Sequence, residues 1–423
     1  MSIKLPKGTR DFFPPEQRIQ NHIFDTWRQA CIKFGYEEYE GPIFEHLELY
    51  TDKSGDEIVQ QLYYFRDKGK RELSLRPEMT PTLARMVNLK GAALRKPLRW
   101  FSIPRLFRYE RAQKGRLREF FQLNLDIIGS DSIYAEADLI SAIVSMLNDF
   151  GLKADDFVIG ISSRELLATW FAEIGIADPD KVYPVLDRRA KVSPEVFRDN
   201  LNELELNAEQ VQLLDDFMLC TSLTEIEKLT QKEASQKALA DLKQLFAVLE
   251  KAGIAESIQL DLSIVRGLAY YTGIVFEVFD CKRSMRAVAG GGRYDSLTQR
   301  LGGSKVPCVG FGMGDVVLAD LLEERGLLPS PQAEIDVWLV SFGNDMEKIF
   351  SIAAKVRKMG LSCSHILSPT RVGKQLESAN IAGARAVIFV DGDRAPEGAF
   401  EYKIMETGKQ SADSLANIVK EIK

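Results

Sequence analysis

Arg108, Glu110 and Arg111 close one extended stretch of the chain, and Arg118, Phe120 and Gln122 open the next. The loop at 111–118 carries four cationic side chains, Arg111, Lys114, Arg116 and Arg118. Cations at that density hold a polyanion, and the planar guanidinium fork matches the oxygens of phosphate or carboxylate. In the second stretch Phe121, Leu123, Leu125 and Ile127 alternate with Phe120, Gln122, Asn124 and Asp126. That period of two predicts a strand with one core face and one polar face. The pattern describes a basic-tipped hairpin over a small polar pocket. A plain amphipathic hairpin with a solvated turn would show the same alternation, so the rest of the chain must decide.

The elements around this hairpin are legible in order. Pro14-Pro15-Glu16 opens a helix whose stripe Ile19, Ile23, Trp27, Cys31 and Phe34 ends at Gly35, and a proline-interrupted extended segment follows to Phe44. A hairpin at 62–75 delivers Glu78, and Thr80-Pro81 reads as the N-cap and first turn of a helix with Leu83, Met86 and Val87. A helix at 134–151 places Leu139, Ile140, Ile143 and Leu147 inward. Residues 163–256 are helical in period nearly throughout. Chemistry returns at 260–279, at the glycine-rich 289–295 and at 306–314, where three glycines share one strand face. The third glycine of a dinucleotide-binding fingerprint is missing there, which argues against a Rossmann site. After a turn-rich linker the pattern becomes βαβαβ, then a hairpin near 405–408 and a last helix.

Bulk properties narrow the function. A length of 423 residues predicts two or three domains, and a net charge of −6 excludes general basicity as a means of binding nucleic acid. Any RNA contact must come from local patches. Cysteines 31, 220, 281, 308 and 363 form no CxxC pair, which argues against a structural zinc site and a disulfide framework and suits a reducing cytoplasm. The first residues contain no apolar leader segment and no apolar run is long enough to span a membrane, so a soluble, cytoplasmic chain is expected.

Arg108-x-Glu110-Arg111, the basic loop, and Arg118-x-Phe120-x-Gln122 closely resemble motif 2 of class II aminoacyl-tRNA synthetases. The wording Phe107-Arg108-Tyr109-Glu110-Arg111, with Gln113-Lys114-Gly115-Arg116, resembles the histidyl-tRNA synthetase branch. Lys7-Gly8-Thr9-Arg10-Asp11-Phe12 resembles that family's N-terminal signature, and Arg266-Gly267-Leu268-Ala269-Tyr270-Tyr271 its histidine-specific Arg-Gly-Leu-Asp-Tyr-Tyr. Residues 306–314 resemble motif 3, and the segment from Pro14 to Phe44 resembles motif 1, which implies a homodimer. Four positions depart from the pattern: Met79 replaces a common glycine, Asp126 a glutamate, Ala269 an aspartate, and Val317 the arginine that usually stacks on adenine.

The resemblance implies an α+β fold. Residues 1–325 would hold a class II antiparallel sheet with flanking helices and a helical insertion at about 163–256, followed by a linker at 326–333 and a C-terminal α/β anticodon-binding domain at 334–423. It implies ATP-dependent ligation of histidine to tRNA(His) through histidyl-adenylate, with Mg2+ accompanying ATP. Charge builds on the α-phosphoryl oxygens in such a reaction, so fixed cations matter more than an acid or base; Arg266 and Arg108 are the catalytic candidates. Glu78, Thr80, Arg108, Gln122, Asp126, Arg266, Tyr270 and Tyr271 would bind histidine. Arg108, Glu110, Arg116, Phe120 and Arg293 would contact ATP, with Arg293 supplying the cation absent at Val317. Arg111, Gln113 and Lys114 would meet the tRNA. The rival reading is a non-catalytic, histidine-sensing paralogue, the regulatory subunit of the histidine-biosynthetic phosphoribosyltransferase.

Overall fold

The period-two stretch of the basic hairpin becomes a ten-residue strand at the centre of a sheet in the computed structural model, which describes residues 3–51, 59–91, 93–186, 188–189, 192–265, 270–330, 335–391 and 396–423. The chain divides into two compact units, Met1–Asp11 with Gln20–Leu328, and Phe12–Ile19 with Pro329–Lys423.

In chain order the strands of the first unit are β1 (Glu37–Glu38), β2 (Phe44–His46), β3 (Tyr64–Arg66), β4 (Glu72–Leu75), β5 (Leu98–Ser102), β6 (Arg105–Phe107), β7 (Glu119–Ile128), β8 (Phe157–Ser163), β9 (Ile258–Leu260), β10 (Ile274–Asp280), β11 (Ala289–Arg293) and β12 (Cys308–Gly314). Among the described residues nine of them form one sheet in the order β1-β5-β7-β12-β11-β10-β8-β9, with β6 also paired to β7, while β2-β4-β3 form a small second sheet. The interior of the large sheet is antiparallel as expected, but both outermost pairs, β1 with β5 and β8 with β9, are parallel. A parallel neighbour needs a long crossover. Between β8 and β9 the helical block provides it, running from Arg164–Glu173 to Glu233–Lys251.

Within that block, Ser193, Asn207 and Ser222 cap their helices through side-chain oxygens, and the last two complete capping boxes with Gln210 and Glu225. Leu239, Leu242, Leu245 and Leu249 of Glu233–Lys251 are buried. The helix Tyr134–Asp149 buries Leu139, Ile140, Ile143 and Leu147, as its spacing predicts. One helix start differs from expectation: Met79 is the N-cap of Thr80–Lys90, without a side-chain bond, and Thr80 is already the first helical residue. A following proline tolerates this because its missing N–H needs no cap.

The second unit has strands β13 (Ile335–Val340), β14 (Cys363–His365), β15 (Ala384–Phe389), β16 (Phe400–Ile404) and β17 (Gln410–Asp413), ordered β14-β13-β15-β16-β17. The first three are parallel through helices Met346–Lys358 and Val372–Ile381, and the last two return as a hairpin. Val337, Leu339, Ile349, Ile352, Val356, Ile388, Ile418 and Ile422 fill its core.

Candidate functional site

β7, β10, β11 and β12 floor the site, and their glycines set its depth. β12 runs beside β7 with Gly310 opposite Asp126 and Gly314 opposite Gln122. A methyl group added at Gly310 would fall 1.9 Å from Asp126 Oδ1, and one at Gly312 would fall 1.5 Å from Gln122 Nε2. One at Gly291 would meet the Gly310 carbonyl oxygen at 2.4 Å. The glycines are therefore steric: they let the polar side chains of β7 lie across the neighbouring strand. A Gly312→Ala variant is expected to keep its melting temperature, because only the flexible end of Gln122 must move. If Gln122 binds the histidine that the resemblance implies, KM for that amino acid should rise roughly 3- to 10-fold, the cost of one displaced hydrogen bond. An unchanged KM in steady-state kinetics would detach Gln122 from the substrate.

Above this floor is a cavity of about 800 Å³. It brings together six of the side chains expected from sequence: Arg108, Glu110, Arg116, Phe120, Gln122 and Tyr271. Arg108 is positioned from two sides. Its Nε donates to the Pro77 carbonyl at 2.8 Å, and its guanidinium stands 5.4 Å from the Phe120 ring centroid. Arg116 turns inward and pairs through Nε with the buried Glu110 carboxylate. Its turn is closed by reciprocal backbone bonds with Gln113, 3.0 and 2.9 Å, and needs the left-handed Gly115 at φ +72°. Arg111, Gln113 and Lys114 are exposed on the outside of the loop.

A second group lies buried and does not line the cavity. Tyr270 donates its hydroxyl to Glu78 Oε2 at 2.9 Å, and Tyr294 donates to Asp126 Oδ1 at 2.6 Å. Tyr270, Tyr271 and Tyr294 pack edge to face, with centroids 5.3 to 6.5 Å apart, so Tyr271 joins the cavity to both carboxylates. Thr80 is buried beside Tyr270. Asp126 is 2% exposed, its Oδ2 has no hydrogen-bond partner among the described residues, and burial pushes its pKa up to about 7, with the Tyr294 bond opposing. An orphaned acceptor at that depth is costly unless a ligand N–H arrives. The buried Tyr39 hydroxyl, close enough to feel the Asp126 charge, also lacks a partner among the described residues.

Arg293 is a correction. Its guanidinium forks onto both oxygens of Glu136 at 2.6 Å, donates to the Ser130 carbonyl at 2.9 Å, and is absent from the cavity wall. A fork engaged on that scale is a buried structural pair, and the expected cation for ATP is not this one. Arg266 and the neighbouring 267–269 lie outside the described residues. Sequence reasoning passed over Tyr294, Arg286 and Glu277; Tyr294 stood in plain view in the Gly-Gly-Gly-Arg-Tyr-Asp run, the other two had no motif to mark them.

The N-terminal signature also finds its place. The Gly8 carbonyl accepts from Arg118 and Glu119 N–H at 2.8 and 3.2 Å, and Arg10 donates to Asp315 Oδ2 at 2.6 Å. Asp315, at the start of helix Asp315–Glu324, is 1% exposed and also accepts from Phe121 N–H at 2.9 Å. Burial raises its pKa while Arg10 pulls it back. The segment clamps the start of β7 to the end of β12.

A glycine-floored antiparallel sheet carrying a basic hairpin and backed by helices is the catalytic fold of a class II aminoacyl-tRNA synthetase. The profile of the histidyl-tRNA synthetase family matches residues 8–315, and that of an anticodon-binding domain matches 336–423. The chain belongs to the histidyl-tRNA synthetase family. It is 40% identical over 409 residues to a histidine–tRNA ligase of Opitutus terrae, covering 95% of this chain and 93% of that one. Identity is 37% over 421 residues to a chloroplastic/mitochondrial histidine–tRNA ligase of Arabidopsis thaliana, covering 99% and 86%. In fold it is similar to the crystal structure of histidyl-tRNA synthetase from Nostoc sp. PCC 7120, with a TM-score of 0.86 at 24% identity over 100% and 99% of the two chains.

Proposed function

We propose that this protein ligates L-histidine to tRNA(His), through histidyl-adenylate, with release of pyrophosphate and then AMP. The observation that carries the proposal is the cavity that gathers Arg108, Glu110, Arg116, Phe120, Gln122 and Tyr271, together with the Asp126 Oδ2 that has no partner among the described residues. In the first step the histidine carboxylate, already ionised, attacks the α-phosphorus in line and pyrophosphate leaves. Arg108, and Arg266 by its motif, stabilise the charge on the α-phosphoryl oxygens. Glu78 and Thr80 take the α-amino group, Gln122 orients the substrate, and Asp126 with Tyr270 and Tyr271 recognises the imidazole. Glu110, Arg116 and Phe120 hold ATP. The nucleotide enters as its Mg2+ complex; such an ion takes most of its oxygens from phosphate and water with one or two carboxylates, and Glu277 on the cavity wall is the residue that would approach it.

In the second step a terminal ribose hydroxyl of the tRNA takes the histidyl group. The second unit selects the anticodon, the helical block approaches the acceptor arm, and the outward loop residues meet its end. Exposed Ile43, Phe44, Tyr64 and Phe65 around the small sheet offer an apolar face for a homodimer. No helix among the described residues is long and apolar enough to cross a membrane, and the proposed location is the cytoplasm.

Charging of a tRNA(His) transcript with labelled histidine tests the proposal; failure to charge it, with the protein folded, would refute it. The loop offers a finer test. Gln113→Ala with Lys114→Ala should lower charging efficiency roughly 10-fold, through lost phosphate contacts, and leave pyrophosphate exchange intact. Loss of both reactions would place the loop tip in the nucleotide site.

A further inference from the structure

Four arginines line the cavity, and three have an evident partner. Arg108 is anchored on the Pro77 carbonyl, Arg116 is paired with Glu110, and Arg283 is paired with Asp261 at 2.6 Å while standing 4.7 Å from the Phe279 ring centroid. Arg286 is the exception: among the described residues its guanidinium has no hydrogen-bond or ion-pair partner, and its exposed side chain faces the cavity. It belongs to the connection between β10 and β11.

The placement of its stem is constrained. A methyl group added at Gly115 would stand 3.5 and 3.7 Å from Arg286 Cδ and Cγ and 3.3 Å from Val317 Cγ2. The apolar part of Arg286 therefore packs against the turn of the basic loop, opposite the buried Val317, and carries the guanidinium toward Arg116. Partial burial and the Arg116 charge hold the Arg286 guanidinium below the ordinary arginine range, with Glu110 opposing them. Two guanidinium groups held near each other in a partly dehydrated cleft, one of them unpaired, repel until an anion comes between them. A carboxylate is already supplied to Arg116, so an incoming anion meets one paired and one open fork.

We propose that Arg286 is a nucleotide-binding residue that, together with Arg116, grips the β- and γ-phosphates of ATP and the pyrophosphate they become. This deepens the reading of the cavity as an adenylate-forming site and rests on it. Arg116 is already assigned to ATP and Arg293 is committed to Glu136, so Arg286, whose stem packs on the same turn as Arg116, brings the open fork to the part of the nucleotide that Arg116 holds.

The test uses Arg286→Ala and Arg286→Lys in the full chain. In pyrophosphate exchange Arg286→Ala should raise KM for both ATP and pyrophosphate roughly 10- to 100-fold, the range for one lost charge-assisted fork. Lysine should recover part of this, while KM for histidine, the melting temperature and transfer from preformed histidyl-adenylate to tRNA stay as in the parent. Calorimetric titration with ATP, inorganic pyrophosphate and AMP supplies a readout independent of turnover. ATP and pyrophosphate should weaken and AMP should not. Unaltered ATP and pyrophosphate affinity overturns the assignment, as does an equal loss for AMP, which would put Arg286 on the base or ribose. If the parent protein shows no histidine-dependent exchange, the reading of the site fails by itself, and the titrations still decide whether Arg286 binds phosphate.

Discussion

Replacing Arg108 by lysine is expected to slow histidyl-adenylate formation by roughly 10² to 10³, the value typical of one pre-oriented donor aimed at developing charge. The geometry explains why charge alone is insufficient. Arg108 spends Nε on the Pro77 carbonyl and its face on Phe120, and its two terminal nitrogens have no protein partner among the described residues. Lysine keeps the positive charge but can satisfy neither the Pro77 carbonyl and a phosphoryl oxygen together nor the planar contact. Arg266→Lys should show a loss of the same order, since that arginine heads the histidine-specific motif and precedes Gly267. In both variants transfer from preformed adenylate to tRNA and thermal stability should change far less. Equal losses in both half-reactions in rapid-quench assays, or a marked fall in melting temperature, would make these arginines part of the scaffold.

The second large effect is expected at Asp126. Asp126→Asn should raise KM for histidine roughly 10- to 100-fold, the worth of a hydrogen bond to a charged group, and leave KM for ATP nearly unchanged. The pH dependence carries the same information. In the free protein burial raises the Asp126 pKa from 3.8 to about 7, so the folded state prefers the protonated carboxyl. Its contribution to stability is complete below about 3.8 and is lost as pH rises through about 7. Recognition of a ring N–H needs the ionised form, so KM for histidine should rise as pH falls through 7. The imidazole of free histidine titrates nearby, at about 6.5, and the asparagine variant separates the two: it should retain only the shallower dependence of the substrate. A profile of the same shape in both proteins would show that Asp126 plays no part in binding.

Local pattern made some of this legible. The alternation of β7 is local, and its buried Leu123, Leu125 and Ile127 needed no partner to be identified. The polar face was harder to read, because Asn124 and Asp126 lie under neighbours that sequence does not place, and they are as buried as the core. Tyr294 reaches Asp126 across 168 residues, Tyr270 reaches Glu78 across 192, and Arg10 reaches Asp315 across 305. Arg293 and Arg286 show the limit most clearly. Seven positions apart in one glycine-rich region, they are equivalent in charge and propensity. Only the packing of Glu136, 157 residues away, commits the first to the interior. The parallel edges of the sheet had the same origin, because β9 is too short to announce its partner and its direction follows from the helical block before it.

The cavity is assigned the activation of histidine. Amino-acid-dependent ATP–pyrophosphate exchange, run in parallel with all twenty amino acids, tests it most directly, because exchange reports adenylate formation without tRNA. Exchange is expected with histidine alone. Rejection should be strongest for side chains that lack a ring N–H, which would leave Asp126 Oδ2 buried without a donor. Exchange with a different amino acid would contradict the assignment of the pocket, and binding of histidine without exchange would mark the chain as a sensor that holds the amino acid and does no chemistry on it.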